Sequence, residues 1–146
     1  MPDNKDDPRF EAILQGHREL KLLLAEIDRA LAEQTAAVEE VSEKLGRLGD
    51  LLVRHFTMEE DEGYFSEALL RAPQLVAKAN QLLAQHPKMR CKATALISDL
   101  SLGPQEDWWT KTRRLFLEFR DELTQHERQE DRLIQEAYVR DVGAND

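Results

Sequence analysis

Residues 41–59 read VSEKLGRLGDLLVRHFTME, and this stretch decides the fold. Apolar residues fall at Val41, Leu45, Leu48 and Leu52, and the same seam runs on through His55 and Glu59. Steps alternating four and three trace one face of a helix packed into a bundle. A histidine and a glutamate thus hold positions that packing would give to leucine. Four residues is just over one helical turn, so His55 and Glu59 point from one face. Gly46 and Gly49 each weaken the helix by about 1 kcal/mol relative to alanine if they are interior.

Three more seams of the same period surround this one. Phe10, Ile13, His17, Leu20, Leu24, Ile27 and Leu31 form the first, opened by Asp7 as cap and Pro8 at the first helical position. Leu75, Ala79, Leu82, His86, Met89, Ala93, Leu96 and Leu100 form the third, opened by Pro73. Pro87 interrupts it, so either the helix bends or two helical pieces meet at His86. Thr112, Phe116, Phe119, Leu123, His126, Glu130, Leu133 and Ala137 form the fourth. Turns are expected near Gln34-Thr35, with Thr35 as a cap, over Tyr64 to Ala72, and at Gly103-Pro104. Gly63 is expected to end the second helix, and Gly143 to lie beyond the fourth. The expected fold is all-α, an antiparallel up-and-down four-helix bundle over residues 8–138, with frayed termini at 1–7 and 139–146.

Composition agrees. A chain of 146 residues with 34% charged and 6% aromatic residues suits one helical domain better than a β-sandwich. The net charge of −9 argues against nucleic acid or an anionic membrane as partner. No apolar run is long enough to span a bilayer. The acidic start, MPDNKDDPRF, is unlike a signal peptide, and the one cysteine, Cys91, fits a reducing compartment, so a cytoplasmic location is expected.

All four histidines of the chain lie in seams, one per helix. In an up-and-down bundle, residues at equal height are equidistant from the loop joining their helices. The midpoints of successive histidine pairs are 36, 70.5 and 106, each in or beside an expected turn. His17, His55 with Glu59, His86, and His126 with Glu130 are therefore expected in one layer. Imidazole and carboxylate together suit a first-row metal. Two buried glutamates without partners cost several kcal/mol each by rough estimate, which a metal pair offsets. The non-metal reading is a His–Glu polar layer that only fixes register. Asp131 is turned about 140° from His126, against about 40° for Glu130, and is expected in solvent rather than as a ligand. Glu127-Arg128-Gln129 is expected as solvated surface, Cys91 as a small structural residue, and Trp108 with Trp109 as a plug at the end of the core. The ferritin-like di-iron pattern, Glu-x-x-His, is absent; here the order is His-x-x-x-Glu.

His17, His55-x-x-x-Glu59, His86 and His126-x-x-x-Glu130 resemble the hemerythrin-like (HHE cation-binding) family over nearly the whole chain, from about residue 8 to 138. The resemblance implies a non-haem centre of two iron ions, with the four histidines as terminal ligands and Glu59 and Glu130 bridging or near-bridging. Members bind oxygen, sense oxygen, nitric oxide or iron, or store iron, and some have peroxidase-like chemistry. Oxygen carriers have a further histidine one turn after the third, where this chain has Arg90. A guanidinium cannot ligate a metal, so Arg90 is expected to turn to solvent and leave a more open coordination sphere. Carriers also have an aspartate five residues after the last histidine, a role for which Asp131 rivals Glu130. The expectation is a protein that binds a small diatomic ligand (oxygen or nitric oxide) or senses iron or redox state. A di-iron oxidase or peroxidase and a metal-free interaction bundle are the alternatives.

Overall fold

The computed structural model describes residues 8–61, 72–101 and 108–144. Five helices make up these residues: α1 (Pro8–Glu33), α2 (Val38–Glu60), α3 (Pro73–Leu83), α4 (His86–Ser101) and α5 (Trp108–Ala144). They pack as a bundle. α1 lies against α2 and α5, α4 against the same two, and α3 against α5 and, less extensively, α2.

The seams are the buried faces. In α1 the buried residues are Phe10, Ile13, His17, Leu20, Leu24, Ile27 and Leu31. In α2 they are Val41, Leu45, Leu48, Leu52, His55, Phe56 and Glu59. Each is an apolar stripe at the spacing that one helix face demands. Trp108 begins α5, is buried in the core, and meets Trp109 edge to face at 4.8 Å.

The turns differ from expectation in their chemistry. The α1–α2 connection occupies residues 34–37, and α2 is capped by Ala37, with no side-chain hydrogen bond. Thr35 is therefore not its cap. Gln34 ends α1 instead: it takes the left-handed conformation (φ 56°) and its N–H donates to the Ala30 carbonyl at 3.1 Å. Around Pro87 two helical pieces meet. α3 ends at Leu83 and α4 begins at His86, placing Pro87 in a first turn where no backbone N–H is required. α5 runs to Ala144, so Gly143 lies inside it rather than beyond its end. The Asp7 cap, Gly63, residues 64–71 and Gly103-Pro104 lie outside the described residues.

The apolar core comes in two parts. One is built from Leu20, Leu24, Leu52, Phe56, Met89, Phe119, Leu123 and their neighbours towards Trp108. The other is built from Phe10, Ile13, Leu75, Ala79, Leu82, Leu133, Ile134 and Ala137. Between them in sequence stand His17 on α1, His86 at the start of α4 and His126 on α5. The polar layer is a floor across the bundle with dry packing above and below it.

Gly46 faces open space: a Cβ built there meets nothing within 4 Å. Gly46→Ala is accordingly expected to stabilise the chain by about 1 kcal/mol, read as a higher urea midpoint with an unchanged slope.

Candidate metal centre

The four histidines and two glutamates do meet. His17, His55, His86, His126, Glu59 and Glu130 are all buried, with exposures of 6%, 4%, 0%, 2%, 1% and 0% in that order. Their donor atoms form two groups, His17, His55, Glu59, Glu130 and Glu59, His86, His126, Glu130; within each, all donor atoms lie within 4.8 Å of one another. The two glutamates belong to both. The groups are also alike in shape: the His17 and His55 rings and the His86 and His126 rings each have centroids 5.0 Å apart at 64°.

Glu130 is the hub. Its Oε1 lies 3.2 Å from Nε2 of His17 and 3.2 Å from Nε2 of His126. Glu59 Oε1 lies 2.5 Å from His55 Nε2, and Oε2 lies 3.9 Å from His86 Nε2. His86 and His126 bring their Nε2 atoms within 3.2 Å of each other.

Six of the eight buried side-chain polar atoms that lack a hydrogen-bond partner among the described residues belong to this layer: both nitrogens of His55, both oxygens of Glu59, Nδ1 of His86 and Oε2 of Glu130. Buried polar atoms are ordinarily paired, and each orphan costs about 1–3 kcal/mol. Orphans concentrated on imidazole and carboxylate donors that converge at one level are what a cation satisfies. The donor set therefore fits a metal.

The electrostatics describe a crowded site. Burial pushes the Glu59 carboxyl well above the usual carboxylate range, reinforced by the charge of Glu130. Burial acts the same way on Glu130, but Glu59, His126 and His17 outweigh it and hold Glu130 ionised. Burial and the charge of His17 lower His55 to about 4. Burial, assisted by the charge of His126, lowers His86 to about 4. For His17 burial is outweighed by hydrogen bonds to Asp131 and Glu130, which raise it to about 10.

The outer side of the layer was less legible in the sequence. Asp131, expected in solvent, accepts a hydrogen bond from His17 Nδ1 at 2.7 Å while its side chain remains half exposed. The larger rotation does take it out of the layer, but towards α1 rather than into water. Gln85, in the break between α3 and α4, accepts a hydrogen bond from His126 Nδ1 at 2.9 Å. Phe56 stacks flat on His86, centroids 3.8 Å apart and 2° from parallel. Arg90 turns away from the layer, as its charge requires, yet not simply to water. It forks onto Glu60 at 2.9 and 3.2 Å, and Glu60 stands 3.6 Å from His86 Nδ1. The guanidinium holds the Glu60 carboxyl below its ordinary range.

Two further corrections concern the surface. Glu127 is buried, while Arg128 and Gln129 are exposed as expected. One residue past His126 is a turn of about 100°, which brings Glu127 to the α1–α5 seam, beside a cavity of about 310 Å³ also lined by His17, Lys21 and Thr124. Burial there raises its carboxyl to about 8. Cys91 is exposed and free, not a packed structural residue.

Gly16 escaped the sequence reading altogether. A Cβ on it would lie 2.2 Å from His55 Nδ1 and 2.5 Å from His55 Cε1. The missing side chain is the space that His55 occupies. An interior helical glycine beside a seam histidine was the available signal.

A pH dependence follows for the metal-free chain. Above pH 6.5 the native state retains protons on His17 (to about 10), Glu127 (to about 8) and Glu59 that the unfolded chain has released. Fewer protons on the unfolded state means stability falls as pH rises. Below pH 6.5 His55 and His86 stay neutral down to about 4 while their unfolded counterparts charge. Their loss of stability there opposes the gain from the two protonated glutamates. Expected is a Tm nearly flat from pH 5 to 6.5 that drops steadily to pH 9.

The fold and the layer together define a helical-bundle protein with a buried His/Glu cluster placed to hold metal. The family model for the hemerythrin HHE cation-binding domain matches residues 9–138. The chain belongs to that family. No curated protein and no solved structure matches it.

Proposed function

We propose that the layer holds two iron ions, one between His17 and His55, the other between His86 and His126, with Glu59 and Glu130 shared. The observation that carries this reading is the overlap of two four-residue donor groups in the same two carboxylates. Four of the six side chains, His55, Glu59, His86 and Glu130, keep a buried oxygen or nitrogen without any other partner. The order of packing, with α1 and α4 each between α2 and α5, supports an antiparallel up-and-down path through residues 8–138.

A pair of irons supplies ferrous–ferric exchange and open positions for a small ligand. The chain's own residues do the rest. Asp131 and Gln85 fix the outer nitrogens of His17 and His126, so that Nε2 of each is turned inward. Phe56 holds the His86 ring in plane. The apolar residues above and below keep bulk water from the layer. With Arg90 drawn off by Glu60, each ion would be held by two imidazoles and no third. That leaves room for a diatomic ligand, oxygen or nitric oxide, or for a response to iron supply or redox state, in a protein of the cytoplasm.

Metal must displace the protons on His17 and Glu59, so its stabilising effect grows with pH, opposite to the trend of the metal-free chain. The test is iron loading without air, elemental analysis, then exposure to nitric oxide or oxygen under an optical spectrometer. About two irons per chain and a reversible spectral change are expected. No iron retained after desalting, or loading without spectral response to either gas, overturns the proposal.

A further inference from the structure

We infer that the two metal positions are unequal: the one at His17 and His55 fills first and holds its ion, and the one at His86 and His126 exchanges. This rests on the two-ion reading above.

The inner sides of the two positions offer the same residue types. Both histidine pairs have the same ring separation and angle, 5.0 Å and 64°, and both share Glu59 and Glu130. The difference in chemistry lies at the outer nitrogens. A carboxylate on the far N–H of a ligating histidine strengthens the near nitrogen as a donor, an effect typically worth 10–100-fold in metal affinity.

His17 has such a carboxylate. Its Nδ1 donates to Asp131 at 2.7 Å, a charge-assisted bond of the short class. The other half has none in that form. His126 donates to the neutral amide oxygen of Gln85 at 2.9 Å. His86 faces Glu60 at 3.6 Å, beyond hydrogen-bond reach, and both Glu60 oxygens are taken by Arg90 at 2.9 and 3.2 Å. The charge of Glu60 is thereby cancelled, and a fixed guanidinium charge stands on this side of the layer.

On the His17 side, His55 offers no compensating weakness large enough to reverse the order. Its Nδ1 has no acceptor, and neither has Nδ1 of His86, so these two offset each other and the difference left is the carboxylate on His17 against the amide on His126. Arg18, the next residue on α1, is exposed and engaged by Glu11 and Gln15. One half thus carries an uncancelled carboxylate and the other a cancelled one. The consequence is an ion that stays and an ion whose occupancy follows supply, which is a means of reporting metal concentration.

Cobalt(II) tests this without reference to any activity. Metal-free protein is titrated anaerobically against a competing chelator, with the visible cobalt bands and bound metal followed together. Two steps separated by at least about tenfold are expected. Asp131→Asn is expected to weaken the tighter step by about 10–100-fold and to leave the weaker within about threefold. Gln85→Glu gives the second position its own carboxylate and is expected to strengthen the weaker step by about tenfold. Both side chains reach the surface, and circular dichroism checks that each variant folds. A gain of affinity in Gln85→Glu is an effect that mere structural damage does not produce. Two ions of equal affinity in the wild-type chain, or an Asp131→Asn variant weakened only in the second step, overturns the inference and spares the two-ion reading. Uptake of less than two cobalt ions overturns both.

Discussion

Gly16→Ala is expected to destabilise the chain and to strip the candidate metal centre of half its capacity, although alanine is the better helix former. The alanine Cβ would sit 2.2 Å from Nδ1 of His55. Carbon–nitrogen contacts of that kind do not occur, so something must move. His55 has little room: its ring is buried, with His17 centred 5.0 Å away on one side and Phe56 6.2 Å on another. Either the imidazole swings off its line to Glu59, or α1 and α2 part along a closely packed seam. Overpacking of this sort costs about 1–3 kcal/mol, and helix propensity returns about 1 kcal/mol. The net expectation is a loss of up to about 2 kcal/mol in urea unfolding, together with fewer than two metal ions retained per chain. Gly46→Ala supplies the control, since the same substitution in open space should stabilise. If both variants gain stability and both keep full metal uptake, the close approach of Gly16 to His55 is wrong.

That contrast shows what a sequence discloses and what it withholds. Period alone located the seams, because burial of one helix face is a property of a single segment. Each residue from Phe10 to Leu31 that the alternation of three and four selected is buried. The common height of the histidines followed from loop positions, another quantity countable along the chain. Gly16, Phe56, Gln85 and Glu127 lie about 100° to either side of seam positions, each next in sequence to one of the four histidines. Their roles depend on which neighbouring helix that flank meets, and no period encodes it. Rotation turned Asp131 off the face that Glu130 shares with His126, but rotation could not say that α1 would be there to present His17. Arg90 was likewise excluded from the layer by its charge, while its engagement by Glu60 needed the two helices side by side. Turn chemistry failed for a simpler reason. Gln34 closes α1 in a left-handed conformation that glycine or asparagine ordinarily takes, so Thr35 drew attention that belonged one residue earlier.

Glu130→Gln carries the largest expected effect, because Glu130 is one of the two carboxylates common to both donor groups and lies 3.2 Å from a histidine of each. The substitution keeps shape and volume and deletes one charge. In the metal-free chain Glu130 is ionised and faces Nε2 of His17 and of His126 at 3.2 Å each. The amide leaves a protonated His17 supported by Asp131 alone, so His17 should titrate lower than its present value of about 10. A neutral amide is a poor ligand for two ions at once, and both donor groups lose one of their two shared carboxylates. A ligand bound at a thousandfold above its dissociation constant stabilises the native state by about 4 kcal/mol, roughly 10 °C or more in Tm for a chain of this size. Wild-type protein is expected to show that rise on adding ferrous iron without air, and Glu130→Gln to show almost none. Glu127→Gln is the matched control, buried and three residues earlier on the same helix but outside both donor groups. Its metal-dependent rise should survive intact. A Glu130→Gln variant that still gains 10 °C with iron would mean that metal, wherever it binds, does not bind between these histidines.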